Sequence, residues 1–217
     1  MKYIYAPGCA LVSYKPHLSD KLKEFVVSQF GPADTLLTCC FDSPDLDQDV
    51  CLLTPCETCA QTYRKLYPDM KIVNLLKTIA DCPDFPFPDY HGYSMSIQDT
   101  CAARSNPETL ETVRTLLQKM NIQLQEPEKT GTRAKCCGQV LYGKMDISKV
   151  ENFMRNRAGE MPCNDVVVYC ASCIISMTVG GRQPRYLLDL LYGEETNMKG
   201  TGVCAWNEKL KEFRKNH

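Results

Sequence analysis

Ten of the fourteen cysteines in this chain of 217 residues stand in one pattern written twice. The first set is Cys9, the adjacent pair Cys39-Cys40, and Cys56-Glu57-Thr58-Cys59; the second is Cys101, the adjacent pair Cys136-Cys137 followed by Gly138, and Cys170-Ala171-Ser172-Cys173. The gaps read C-x29-CC-x15-C-x2-C and C-x34-CC-x32-C-x2-C. Thiols act as metal ligands or nucleophiles, in both cases as thiolates. Five thiolates in one crevice repel one another unless a cation neutralises them, so the pattern points to bound metal. Zinc takes four ligands in a closed tetrahedron, commonly from two chelating pairs. Each set here instead has one C-x-x-C, one vicinal pair and one lone thiol, and adjacent cysteines serve two neighbouring metals more easily than one. Five thiols therefore suit a polynuclear iron–sulfur cluster better than one zinc. The closely spaced ferredoxin run is absent, so an ordinary cubane is not specifically indicated. Only His17, His91 and His217 are histidines, which excludes a His-rich site.

The formal net charge is -1 with 44% hydrophobic residues, and no basic block of five or more occurs. The chain can bury a core without staples, and nucleic acid is not an expected partner. Residues 1–8 do not read as a signal peptide, and the longest apolar run, 166–179, is too short to span a bilayer. These features predict a soluble, cytoplasmic protein without a membrane span. In a reducing cytoplasm many cysteines read as metal-binding or catalytic rather than as a disulfide frame.

The elements that must position these thiols also repeat. A Pro-rich connector over 81–92 divides the chain into lobes 1–90 and 91–217. Short strands over 2–6 and 93–98 run into Cys9 and Cys101. Helices are predicted over 18–30, with Leu18, Leu22, Phe25 and Val26 on one face, and over 107–120, with Asn106 as N-cap, Pro107 at N1 and Leu110, Val113, Leu117 and Met120 as the stripe. Strands over 34–38 and 122–124 lead toward the vicinal pairs. Buried parallel strands over 50–54 and 165–169 run into the C-x-x-C motifs, where helices 57–66 and 171–179 begin; further helices are expected at 74–80 and 185–192. Strands alternating with helices predict an α/β fold: two pseudo-twofold-related lobes, each a small parallel sheet flanked by helices. All the thiol motifs then fall at C-terminal strand ends, where parallel sheets bind ligands. A helix over 146–157 fits the 32 residues between pair and C-x-x-C in the second lobe; the 15 in the first leave no room for one.

The runs Tyr5-Ala6-Pro7-Gly8-Cys9, Thr54-Pro55-Cys56-Glu57-Thr58-Cys59, Asp99-Thr100-Cys101-Ala102-Ala103-Arg104, Cys136-Cys137-Gly138 and Cys170-Ala171-Ser172-Cys173 resemble the cysteine-rich CCG domains of heterodisulfide reductase and of related iron–sulfur oxidoreductase subunits. The resemblance implies noncubane [4Fe-4S] clusters, one or two, that bind and reductively cleave a disulfide. It implies that Cys101, Cys136, Cys137, Cys170 and Cys173 hold one cluster by iron, and Cys9, Cys39, Cys40, Cys56 and Cys59 hold a second. The first lobe departs from the family pattern: its segment to the C-x-x-C is short, and Phe41 stands where glycine is expected and should hinder close approach. Its site reads as an altered cluster, a zinc site or a vestige.

The implied function is a metal-binding oxidoreductase for electron transfer that reduces a small-molecule or protein disulfide. With no flavin or nucleotide motif, its electrons come from a ferredoxin-like or iron–sulfur donor subunit. The alternatives are a non-catalytic relay subunit of a dehydrogenase complex and a zinc-stabilised interaction module. Outside the sets, Cys51 reads as core, and Cys82, Cys163 and Cys204 as spare thiols or a redox pair. Arg104 reads either as a charge partner of cluster or substrate, or as a surface residue. Gly180-Gly181 reads as a helix stop, and Trp206 with the basic tail 209–215 as an amphipathic helix.

Overall fold

The computed structural model describes residues 1–47, 49–198 and 200–217. It divides into two compact units: Met1–Pro83 with Lys209–His217, and Asp84–Glu208. The connector lies with the second unit from Asp84 onward, where Phe85 packs edge-on to Tyr192 with centroids 5.9 Å apart and the Tyr90 hydroxyl donates to the Leu190 carbonyl at 2.9 Å.

The first unit runs β1 (Lys2–Tyr5), α1 (Cys9–Tyr14), α2 (Pro16–Phe30), β2 (Ala33–Thr35), β3 (Val50–Thr54), α3 (Glu57–Leu66), β4 (Lys71–Asn74) and α4 (Leu75–Asp81). The second runs β5 (Ser94–Gln98), α5 (Pro107–Lys119), β6 (Gln123–Gln125), α6 (Ile147–Gly159), β7 (Asp165–Val168), α7 (Ala171–Val179), β8 (Gln183–Tyr186) and α8 (Leu187–Leu191). A further helix, α9 (Val203–Asn216), follows. Among the described residues each unit holds one four-stranded sheet, ordered β2-β1-β3-β4 and β6-β5-β7-β8, with every pairing parallel. The protein is thus α/β with two lobes of one topology. The inner strands β3 and β7 are buried along their whole length, as sheets covered on both faces require.

Several elements differ from the sequence expectation. The fourth strand of each sheet, β4 and β8, falls where the residue pattern predicts a helix or no element, and α4 and α8 start later, at Leu75 and Leu187. Both strands lie at a sheet edge, and β8 carries Pro184 there, where a missing N–H on the solvent side costs no ladder bond. The strand expected over 34–38 shortens to Ala33–Thr35, and Cys9 opens a helix of its own, α1, which Lys15 and Pro16 separate from α2. The helices after each C-x-x-C, over Glu57–Leu66 and Ala171–Val179, lie where expected, as does α6. At the expected stop of α7, Gly180 does more than end a helix: a Cβ there would stand 2.1 Å from the Ala158 Cβ, so α6 and α7 touch at this point. Trp206 is fully buried and its Nε1–H donates to Ser172 Oγ at 3.0 Å. Among the described residues no helix is long and apolar enough to cross a membrane.

Candidate functional site

In an open parallel sheet the chain leaves neighbouring strands in opposite directions at one point, and a crevice opens there beyond the strand ends. In the first lobe that point lies between β1 and β3; in the second, between β5 and β7. Cys9 and Cys101 follow the ends of β1 and β5, while Cys56 and Cys170 are the N-cap residues of α3 and α7, just beyond β3 and β7. Lone thiol and C-x-x-C therefore converge because the topology delivers both to the same crevice.

The vicinal pairs join them, and all five thiols of each set are gathered. In the first lobe neighbouring thiols contact in the order Cys9, Cys39, Cys40, Cys59, Cys56, with Cys9 and Cys39 sulfurs 3.8 Å apart. In the second the order is Cys101, Cys136, Cys137, Cys173, Cys170, with Cys137 and Cys173 sulfurs 3.3 Å apart. The order is the same in both: lone thiol, first and second of the pair, second and first of the C-x-x-C.

The charge pattern repeats as well. Cys39 accepts hydrogen bonds from the Cys40 and Cys9 thiols and is held far below the usual thiol range, and Cys136 is lowered likewise by Cys101 and Cys137. Their neighbours are pushed up: Cys9 by Cys39, Cys101 by Cys136, and Cys40 and Cys137, both to about 12, by the first member of each pair. In each set the first member of the pair takes negative charge and the thiols that contact it are pushed up, since crowded thiolates repel. Cys170 is lowered to about 7, first by the Cys173 thiol, and further by the Ser172 and Cys173 amides at the start of α7 and by the Thr100 hydroxyl. This is the anion-binding end of a helix at work.

What holds the pairs in place differs between lobes. Asp99, two residues before Cys101, is fully buried and accepts five hydrogen bonds. Arg114 Nη1 and Nη2 donate at 3.1 and 2.8 Å, Thr130 Oγ1 at 2.9 Å, the Gly131 amide at 2.7 Å and the Tyr169 hydroxyl at 2.9 Å. Although burial pushes its carboxyl up, Arg114 and the other donors hold it below the usual carboxylate range. Asp99 thus ties together the segments that carry Cys101, Cys136 and Cys170. Beside it, buried Arg157 of α6 donates from Nε to Gln98 Oε1 at 2.6 Å and from Nη2 to the Lys129 carbonyl at 3.0 Å, and the Gln98 amide donates to the carbonyls of Asp99 and Lys135. Cys136 and Cys137 therefore do not sit directly at a strand end as expected; a loop separates them from β6, and this network orders it. Arg114, Tyr169 and Arg157 carry no signal of this role in the sequence, and Asp99 stands out only as part of the run leading to Cys101. A buried polar network made by residues scattered over 98–169 leaves no spacing to read.

Gly138 has φ 101°, and a Cβ there would stand 3.0 Å from Met154 Cγ and 3.1 Å from Phe153 Cδ1. The glycine lets α6 press onto the pair. Phe41 proves no obstacle at the other site. It lies in a single 3-10 turn, Cys40–Asp42, with its side chain 62% exposed, while the left-handed residue is Ser43 at φ 50°. The turn takes another path, so the ring points to solvent and the thiols still meet. In the first lobe the close approach falls instead at Gly8, where φ is 85° and a Cβ would stand 3.3 Å from Cys59 Sγ.

All fourteen cysteines are free. Cys51 is core, Cys82 and Cys163 are half-buried and Cys204 is exposed. Arg104 Nε is buried with no hydrogen-bond partner among the described residues.

The donor set suits a thiolate-bound metal. The Cys9–Cys39 separation of 3.8 Å is the edge expected for two thiolates on one ion with metal–sulfur bonds of about 2.3 Å, roughly 3.8 Å. The Cys137–Cys173 sulfurs are closer than that, and among the described residues no group of three or more His, Cys, Asp or Glu is poised as it stands to hold an ion. The ligand type and number fit; the sulfurs in contact would part to take the metal.

Fold and site define a two-lobed α/β protein with a five-thiol site at the switch point of each sheet. Residues 95–178, within the second lobe, match the model of the CCG cysteine-rich domain family. Such a domain fits a metal or iron–sulfur cofactor and an iron–sulfur type of redox role. No curated protein matches the chain. Among solved structures it is similar to Picrophilus torridus aspartate racemase, with a TM-score of 0.35 and 12% identity over 99% of this chain and 98% of that one. At that likeness nothing of the racemase extends to this chain.

Proposed function

We propose that this protein is an iron–sulfur oxidoreductase that reduces a disulfide with electrons from a ferredoxin-like or iron–sulfur partner. The observation that carries the reading is the gathering of five thiols, in the same contact order, at the ligand-binding edge of each parallel sheet. Cys101, Cys136, Cys137, Cys170 and Cys173 would hold one noncubane [4Fe-4S] cluster, and Cys9, Cys39, Cys40, Cys56 and Cys59 a second cluster or a zinc ion. A bound cluster supplies single-electron steps, which lets a one-electron donor feed a two-electron reduction. The net change breaks one S–S bond, adds two electrons and two protons, and yields two thiols.

The chain's own residues set the conditions for that chemistry. Asp99 and Arg157 fix the loop that carries Cys136 and Cys137. The Cys173 thiol, and further the amides at the start of α7, hold negative charge at Cys170. Burial of Cys137 and Cys173 keeps water from that end of the set.

The test is iron, acid-labile sulfide and EPR on anaerobically purified wild type beside Cys59→Ser and Cys173→Ser, followed by turnover with disulfides and a reduced one-electron donor. Iron, sulfide, and a signal lost from one variant at a time support the reading. Stoichiometric zinc without iron would replace it by a zinc-stabilised module. A reducible protein that leaves every disulfide intact would replace it by an electron relay.

A further inference from the structure

In the second lobe a helix holds the vicinal pair in place. Phe153 and Met154 of α6 lie against Gly138, just after the pair. Lys135, just before it, pairs with Glu160 at the end of α6, and Gln98, held by Arg157, donates to the Lys135 carbonyl at 2.9 Å. The first lobe has only 15 residues between its pair and its C-x-x-C, and among the described residues no helix lies between β2 and β3 beyond the single turn Cys40–Asp42. Its pair is gripped from elsewhere in the same unit. Arg214 donates to the Asp42 carboxylate from Nε at 2.9 Å and again from Nη2, and Thr38 Oγ1 donates to the His217 carbonyl at 3.1 Å. Thr38 and Asp42 flank the segment Cys39-Cys40-Phe41, and Asp42 is the last residue of its single turn. The Phe213 and His217 rings stack 4.2 Å apart, which firms the segment making both contacts.

We propose that residues 209–217 are a working part of the first thiol site: they replace the helix this lobe lacks, and Arg214 is the positioning residue for the Cys39-Cys40 turn. The inference rests on the reading that the first set works as a thiol site. It also accounts for Phe41. With no helix pressing on the pair from above, the position after it needs no glycine. The Arg214 guanidinium is kept charged first by Asp42 and further by Cys39 and Cys9, so it lies within electrostatic reach of the thiolate as well as of the turn.

The experiment is amide hydrogen exchange on the metal-free full chain. The Arg214–Asp42 pair is partly exposed, 42% and 36%, so its loss should speed exchange over residues 36–43 by about threefold to fivefold and leave residues 134–141 unchanged. Arg214→Lys should recover part of the protection, and the exchanged pair Asp42→Arg with Arg214→Asp most of it. An unchanged rate in Arg214→Ala, an equal rise at 134–141, or an exchanged pair no better than either single variant would overturn the proposal. Should Arg214→Ala fail to fold, Arg214→Lys and the exchanged pair decide alone. Because no metal is present, the measurement stands apart from the proposed function. A protein without iron would sink that reading and leave this one intact, while an iron protein with unchanged exchange would do the reverse.

Discussion

Asp99→Ala should be among the most damaging single changes outside the cysteines, and its cost can be worked from the contacts. Asp99 is fully buried and receives five donors, two of them from one guanidinium. Removing one partner of a buried ion pair costs about 3–5 kcal/mol, because the other charge is left uncompensated. Two facts favour the lower end of that range. Arg114 keeps Glu126, with both bonds at 3.0 Å, and Thr130 keeps the same carboxylate at 2.7 Å. The Tyr169 hydroxyl and the Gly131 amide lose their acceptor, at about 1–3 kcal/mol for a group that stays buried. The expected loss is thus about 3–4 kcal/mol, read as a shift in urea midpoint at pH 7 on the reduced, metal-free chain. The pH dependence is a second arm. Asp99 has a folded pKa below its unfolded value of about 3.9, so its contribution is complete above that value and fades as pH falls through the lower folded one. The gap between wild type and Asp99→Ala should therefore be constant from about pH 7 to about pH 5 and narrow below about pH 4. A loss under about 1 kcal/mol, or a gap that stays constant down to about pH 2, would refute the claim that Asp99 organises the second site.

Three further outcomes follow from the same contacts. Gly138→Ala should lower stability by at least about 1–2 kcal/mol, since φ is 101° and a Cβ would crowd Phe153 and Met154, whereas Phe41→Gly should cost under about 1 kcal/mol; thermal unfolding compares the two. Trp206→Ala should cost about 3–5 kcal/mol through the cavity it leaves, with Ser172 losing its donor beside the second C-x-x-C, as urea titration would record. Gly8→Ala should disturb the first set and spare the second, seen as faster alkylation of Cys56 and Cys59 and unchanged rates at Cys170 and Cys173, because the added Cβ would press on Cys59 Sγ at 3.3 Å.

Where the sequence pattern is strictly local, structure and expectation agree. Glu57–Leu66 and Ala171–Val179 are legible as helices because each follows an apolar strand and opens on a C-x-x-C, and α5 because Asn106 caps it and Pro107 starts it. The edge strands β4 and β8 are short and half-polar, and pairing with a neighbour rather than composition makes them strands. Phe41 departs from expectation for a related reason. The rule that glycine follows the pair holds where a helix presses on it, and among the described residues of the first lobe no such helix is present.

The doubled five-thiol pattern, the α/β alternation and the missing helix of the first lobe are written in the order and spacing of residues, because ligand type, periodicity and segment length are one-dimensional properties. That both sets close into the same chain of contacts is not. It depends on two strands leaving the sheet at one switch point and on what steadies the third segment: Asp99, Arg114 and Arg157 in one lobe, Arg214 and Asp42 in the other. Those partners lie 15 to 172 residues apart, and only the folded chain brings their charges within bonding distance.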